Sequence, residues 1–550
     1  MDFFNGVAWV IISFMIFTVA VAVIAYLKTK NENLKSSEGF FLAGHSLPGV
    51  VIAGSLLLTN LSAEQLVGEN GQSWATNMSP MAWEVGSIIS LIVLAYFFLP
   101  RYLKMGVATM PQLMEIRYDK KVKLLFSFTL VIMYSILNLP VILYAGALVF
   151  ENIFGVSALL GVTKFQAIAF LCIAIGIVGG CYAIIGGLKA IAVSDTVNGV
   201  GLLVAGIAVP FLGFAFLGHM MGGDGTDMIN GVKYIVTHHT EKLNSISAWN
   251  SPQPEMPWPL LFTGMVFNNI FFWCTNQSII QRSLGAKSLK EGQKGAIFCG
   301  LLKCLGFLYL VVPGIIAFHI FGDKLGLMDE AYPMLVATVV PKAVLGFFAA
   351  VMFGAILSSF NSVLNSASTM FSLDIYKGII NPKASEKKVI IVGKVYGIAA
   401  GAVAIAVSPF ILYANSGVMT FLNSFIQFVS LPLLCTVFGA FVFKRLPKYV
   451  PWIITAFHII AYGLFMYIAP TYPGSSEPIH YLYAVAVLFP LELLIMWLFN
   501  RFAPTKEEFV IADNSAVDMT PWKYRHVAAV IGMVFAIGLY VVFSPLVLAS

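Results

Sequence analysis

Leu56-Leu57-Leu58-Thr59-Asn60-Leu61-Ser62-Ala63-Glu64-Gln65-Leu66-Val67-Gly68 starts as a membrane helix and then departs from one. The apolar run from Pro48 to Leu58 is broken by Thr59, Asn60, Ser62, Glu64 and Gln65. In hydrocarbon each such group costs several kcal/mol unless it faces protein or a watery cavity, so a polar cluster at mid-membrane marks a functional segment. The stretch reads as an interrupted helix lining a binding site.

The rest of the chain supports that reading. With 59% hydrophobic and 11% charged residues among 550, this is a polytopic, all-α membrane protein rather than a water-soluble globule. The mean hydropathy is +0.87. All six cysteines fall inside apolar runs, which offers neither a disulfide framework nor a metal site. Apolar segments lie near 6–27, 47–69, 80–100, 124–150, 165–185, 190–217, 258–280, 296–321, 344–372, 389–413, 418–442, 450–469, 479–498 and 527–548. Each is long enough to span a core of about 30 Å, giving fourteen transmembrane helices. The first is not a cleaved signal peptide, because Asp2 precedes it and Lys28 and Lys30 follow.

Fourteen spans with the N-terminus outside make alternate loops cytoplasmic and place both termini outside. Basic residues test that order independently. Of 32, 25 fall on the expected inner side, five fall outside (Lys164, Lys233, Lys242, Lys324, Lys342), and Lys303 and Lys394 lie within spans. This is the positive-inside bias, so the net charge of +6 reflects orientation in a plasma membrane, here a bacterial inner membrane, and not nucleic-acid binding. The longest loop, Gly218 to Met256, is too short for a domain. No HExxH, GxSxG or His/Cys metal spacing occurs, so the chain reads as no enzyme and needs no organic cofactor.

A second interrupted stretch, Phe267-Asn268-Asn269-Ile270-Phe271-Phe272-Trp273-Cys274-Thr275-Asn276-Gln277, follows about 210 residues after the first. Each opens a group of five spans. Five is odd, so the second group enters from the opposite side. That is the inverted repeat of secondary transporters, with solute bound at the midplane beside two broken helices.

Several motifs resemble the sodium/solute symporters, most closely the bacterial sodium/galactose and animal sodium/glucose cotransporters. They are Phe41-Leu42-Ala43-Gly44, Asn60-Leu61-Ser62-Ala63-Glu64-Gln65, Ile279-Ile280-Gln281-Arg282, Gln293-Lys294-Gly295 and Asp374-Ile375-Tyr376-Lys377. The likeness is continuous over roughly 39–380 and weaker to about 442; the last three spans match in number alone. It implies a leucine-transporter-type fold: an extra helix and linker at 1–45, a first repeat at 46–217, an outer loop at 218–256, a second repeat at 257–442, and three further helices at 443–550.

The resemblance implies sugar ligands at Asn60, Gln65, Glu84, Ser87, Asn269, Lys303 and Gln427, with Trp273 beside them. A hexose needs such amides and charged groups at its rim and aromatic plates against its C–H faces. Glu84 and Ser87, at i and i+3, share a helix face. Asn60 and Gln65 lie about 140° apart on a regular helix and converge only if the backbone between them unwinds. Lys303 sits too deep to snorkel. The structural alternatives are that Ser87 packs helices, that Trp273 is core or interfacial, and that Glu84 and Lys303 form an ion pair for stability alone. One departure concerns the inner gate, a tyrosine in the family and Phe272 here.

The resemblance also places a co-transported sodium ion on the carbonyls of Leu58, Leu61 and Ala355 and the hydroxyls of Ser358 and Ser359, with Asp195 and Asn198 on its exit route. The expected partners are sodium, a sugar and the bilayer. An inositol, a sialic acid or another polar solute is the alternative cargo, since a fold does not fix a substrate.

Overall fold

Among the residues that the computed structural model describes (2–29, 47–107, 109–223, 227–252, 254–413, 417–468, 470–515 and 517–550), ten helices are long and apolar enough to cross a membrane. All named elements there are helical. They run as α1 (Asp2–Thr29), α2 (Gly49–Asn60), α3 (Ala63–Ala75), α4 (Met81–Met105), α5 (Lys120–Phe154), α6 (Lys164–Met220), α7 (Gly264–Cys274) and α8 (Gln277–Leu284). Then come α9 (Leu289–Lys303), α10 (Phe307–Lys324), α11 (Lys342–Ile380), α12 (Glu386–Tyr413), α13 (Val418–Val442), α14 (Val450–Ile468), α15 (Tyr481–Phe502) and α16 (Arg525–Val542). The motif Phe41–Gly44 lies outside the described residues, as do the side chains of Asp195 and Leu58.

Four of the fourteen expected spans are not among the ten. Two of them, 47–69 and 258–280, are too short because they are broken, as their polar residues require. α2 and α3 are separated by Leu61 (φ −71°, ψ 105°) and Ser62 (φ −130°, ψ 166°), both extended. α7 and α8 are separated at Thr275 and Asn276, where the Asn276 side chain accepts from the Ser278 N–H at 3.1 Å and caps α8. The third is the first span, 6–27, whose described apolar run within α1 is Ile12–Val21. The fourth, 165–185, is fused with 190–217 into the 57-residue helical segment α6, with apolar parts at Lys164–Gly180 and Asn198–Met220. At its ends Lys164 pairs with Glu330, and Gly218 packs against Asp227.

The loops sort into two sets that hydrogen-bond within themselves. Lys287 N–H donates to Leu47 O (3.1 Å), Leu289 N–H to Asp518 O (2.8 Å) and Asn514 N–H to Lys104 O (2.8 Å), all between loops expected inside. Ser245 N–H donates to Phe543 O (2.7 Å), Tyr483 Oη to Trp249 O (2.7 Å) and Lys242 Nζ to Trp74 O (3.0 Å), all between segments expected outside. Asp329 joins the second set by accepting from the Val418 N–H at 3.0 Å, where α13 starts. Gly71 of α3 lies under this loop, and a Cβ there would stand 2.6 Å from Met328 O. The broken pairs occupy the centre: α9 packs along α2, α10 along α3, and α7 lies between α4 and α13.

Candidate functional site

Unwinding at Leu61 and Ser62 turns Asn60 and Gln65 toward one charged cluster. Lys303 Nζ, at the end of α9, donates to both Asn60 Oδ1 and Glu84 Oε1. Gln65 Nε2 donates to the same Glu84 oxygen at 3.4 Å and to Glu69 Oε1 at 3.2 Å. Glu69 and Glu84 are 0% exposed and Lys303 1%, so the charges meet in a medium where each is costly alone. Gly306 permits this approach, because a Cβ there would sit 2.1 Å from Glu84 Oε2.

A cavity opens in front of the cluster. Asn60, Gln65, Ser87, Asn269, Phe272 and Trp273 line it, whereas Glu84, Lys303 and Gln427 stand one layer behind. Trp273 Nε1 donates to Ser87 Oγ at 3.0 Å, and Ser87 Oγ donates to Trp83 O at 2.7 Å. The Trp273 plate is therefore fixed by the residue that also bonds its own helix. Phe272 stands edge-on to it, ring centroids 5.2 Å apart. A π-helical turn at Met133–Asn138 within α5 brings Tyr134 and Asn138 to the wall. Tyr134 Oη donates to Asn276 Oδ1 at 2.9 Å and ties that turn to the second break.

Gln427 is engaged differently from expectation. Its Nε2 donates to Asn268 Oδ1 at 2.7 Å, while the Nδ2 of Asn269 has no partner. Asn268 is thus a cavity residue that the sequence reading passed over in favour of its neighbour. Glu69 was also missed, although it lies four residues after Gln65 on one helix face, a spacing that puts side chains in reach. A third omission, behind Gln427, is the buried pair His458 and Glu492, with Nδ1 to Oε1 2.7 Å; His458 Nε2 lies 2.9 Å from Gln427 O.

For the ion, Ser359 shares the cavity wall with Thr59, Asn60 and Ser62 around the first break. The carbonyls that end α2 lack the next helical turn, so oxygens are available there. Ala355 is buried and Ser358 half-buried on the same helix as Ser359. Asn198 of α6 lies in the adjoining seam, since a Cβ at Gly354 would meet its side chain at 2.3 Å. Among the described residues no group of three His, Cys, Asp or Glu side chains could hold a metal ion.

Residues 40–447 match the model of the sodium:solute symporter family. The chain belongs to that family. It is a membrane transporter and not an enzyme, and membership implies sodium co-transport. This symporter is 42% identical over 531 residues to the "uncharacterized symporter YidK" of Escherichia coli, covering 96% of the chain and 90% of that protein. It is 32% identical over 422 residues to the sodium/glucose cotransporter of Vibrio parahaemolyticus, covering 72% and 75%. A solved structure of a Na+-coupled sialic acid symporter superposes with a TM-score of 0.72 at 19% identity, over 91% of this chain and 99% of that one. That likeness speaks for the fold, a leucine-transporter-type arrangement in an all-α membrane protein.

Proposed function

We propose that this symporter couples inward sodium movement to uptake of a hexose of the galactose or glucose type by alternating access. The observation that carries the reading is the network in which one ammonium and two carboxylates, a layer behind, hold two amides at the wall of a cavity that Trp273 and Phe272 also line. Amides that are held in place and rings that stack suit a neutral solute rich in hydroxyls. Sialic acid fits less well. Its carboxylate needs a cation, and Lys303 is already committed to Glu84. An inositol is the second reading, being a neutral polyol.

In this reading fourteen spans form one extra helix, two inverted five-span repeats and three C-terminal helices, with both termini outside. Sodium on the carbonyls of Leu58, Leu61 and Ala355 and the hydroxyls of Ser358 and Ser359 fixes the turn that presents Asn60 and Gln65. The ion thereby organises the sugar ligands before sugar arrives. One sodium crossing about 100 mV and a tenfold gradient yields about 3.7 kcal/mol, enough for about 500-fold accumulation of a neutral solute.

The test is uptake of labelled galactose, glucose and myo-inositol into proteoliposomes. Accumulation above equilibrium with sodium, abolished when choline replaces it, is expected, with galactose or glucose displacing inositol. Equal uptake with choline would overturn sodium coupling, and preference for inositol would overturn the hexose. Phe272→Tyr adds a hydroxyl at the cavity floor that can bond the sugar. It is expected to slow counterflow of preloaded sugar about three- to tenfold, about one hydrogen bond's worth, with sodium half-activation unchanged. Unchanged exchange would remove Phe272 from the gate.

A further inference from the structure

Gln65 is the one amide at the cavity gripped by two carboxylates. Its Nε2 is 3.2 Å from Glu69 Oε1 and 3.4 Å from Glu84 Oε1, so both N–H bonds are taken from behind. The carbonyl Oε1 is left without a partner and is itself buried, on a side chain that is 8% exposed and lines the cavity, so a solute pressed against that wall is what can satisfy it. Both carboxyl oxygens accept from it, so the amide is turned with its nitrogen toward them. Asn60 is set the opposite way, because Lys303 only donates and takes its Oδ1. Its Nδ2 is then the end available to solute. Glu84 has its own counter-ion in Lys303 and would be held without Gln65. Glu69 feels the same ammonium only through space, its hydrogen bond is to Gln65, and its Oε2 is unbonded.

We propose that Glu69 is a positioning residue that locks the Gln65 amide with its carbonyl toward the cavity, so that the site selects a solute that donates a hydrogen bond there. The inference rests on reading Gln65 as a solute ligand. With Glu69 present the rim offers a donor at Asn60 and an acceptor at Gln65, a pattern that a hydroxyl-bearing solute can meet and an analogue with an acceptor alone cannot. Without it Gln65 turns freely and can present N–H instead. A site whose buried acceptor is left unpaired rejects the wrong analogue strongly.

The first arm measures uptake of galactose and its monodeoxyfluoro analogues, which accept but do not donate at the substituted carbon. E69L is expected to raise the galactose KM about tenfold, with kcat and sodium half-activation within about twofold, the loss of one oriented hydrogen bond. It is also expected to narrow the preference for galactose over the one fluoro analogue that wild type rejects most. E69Q, whose amide oxygen still accepts from Gln65, is expected to restore both. Equal defects in E69L and E69Q, or a loss confined to kcat, would overturn the proposal.

The second arm needs no solute. Q65E puts a third carboxylate beside one ammonium and is expected to lower the unfolding temperature of the purified protein, and the exchange Q65E/E69Q is expected to recover it. A Q65E protein as stable as wild type, or an exchange that recovers nothing, would overturn the contact. If wild type takes up none of these sugars, the hexose reading falls, while the second arm still decides the Glu69–Gln65 contact on which the proposal stands.

Discussion

Lys303→Met is expected to abolish sodium-dependent uptake, by at least about 100-fold, and to destabilise the purified protein by about 3–5 kcal/mol. The change removes the only ammonium in a cluster with two buried carboxylates, at exposures of 0–1%. It also frees Asn60, whose carbonyl oxygen the lysine holds. The two losses can be separated. E84M/K303M returns the cluster to the wild-type net charge and fills it with two apolar side chains, a replacement often neutral for stability. Its unfolding temperature is expected to recover most of the loss, while uptake stays absent because Asn60 has lost its anchor and Gln65 keeps only one of its two, Glu69. A double variant that transports would reduce the pair to a structural role. One that remains as unstable as Lys303→Met would show that the cost lies elsewhere in α9.

The sequence makes the breaks legible and the partnerships only in part. Polar residues inside apolar runs expose Leu61–Ser62 and Thr275–Asn276, because hydrocarbon penalises unsatisfied backbone and leaves few reasons to place such residues there. For Asn60 and Gln65 helix geometry gives a condition, since side chains about 140° apart cannot meet until the turn between them opens, and that they do meet is what the family resemblance implies. Their meeting point is non-local. Lys303 reaches Glu84 across 219 positions and Asn60 across 243, and no short pattern announces either contact. Glu69 was within reach of the i, i+4 rule but sits among residues that already looked explained. Asn268 and Asn269 are adjacent, so composition cannot say which one faces Gln427. The single helical segment at α6 shows the limit at the backbone level, since the glycines at 186 and 187 cost a helix only about 1 kcal/mol each.

The three C-terminal helices carried no signal of their own, and the structure gives two of them a task behind the cavity. His458 of α14 is 0% exposed, with Nε2 at 2.9 Å from the Gln427 carbonyl and Nδ1 at 2.7 Å from Glu492 of α15. Tyr462, one turn on, donates to Ser424 O at 2.8 Å. Both contacts grip α13 on its far side, over the turn whose side chain reaches Asn268. Buried ionisable groups within a bundle are kept for a reason, and here the geometry supplies one: they hold the register of Gln427. Glu492→Leu strands the histidine and is expected to destabilise the protein by about 3–5 kcal/mol, as is His458→Leu alone. H458F/E492L removes both polar groups and fills the space, so stability is expected to return. The Gln427 carbonyl then loses its brace, and the solute KM is expected to rise about tenfold, the value of one hydrogen bond. Sodium half-activation should be unchanged, because the proposed sodium ligands Ser358 and Ser359 stand on α11. If the double variant has a wild-type KM, α14 and α15 only cover α13; if it shifts sodium activation instead, the brace acts on the conformational equilibrium and not on the ligand.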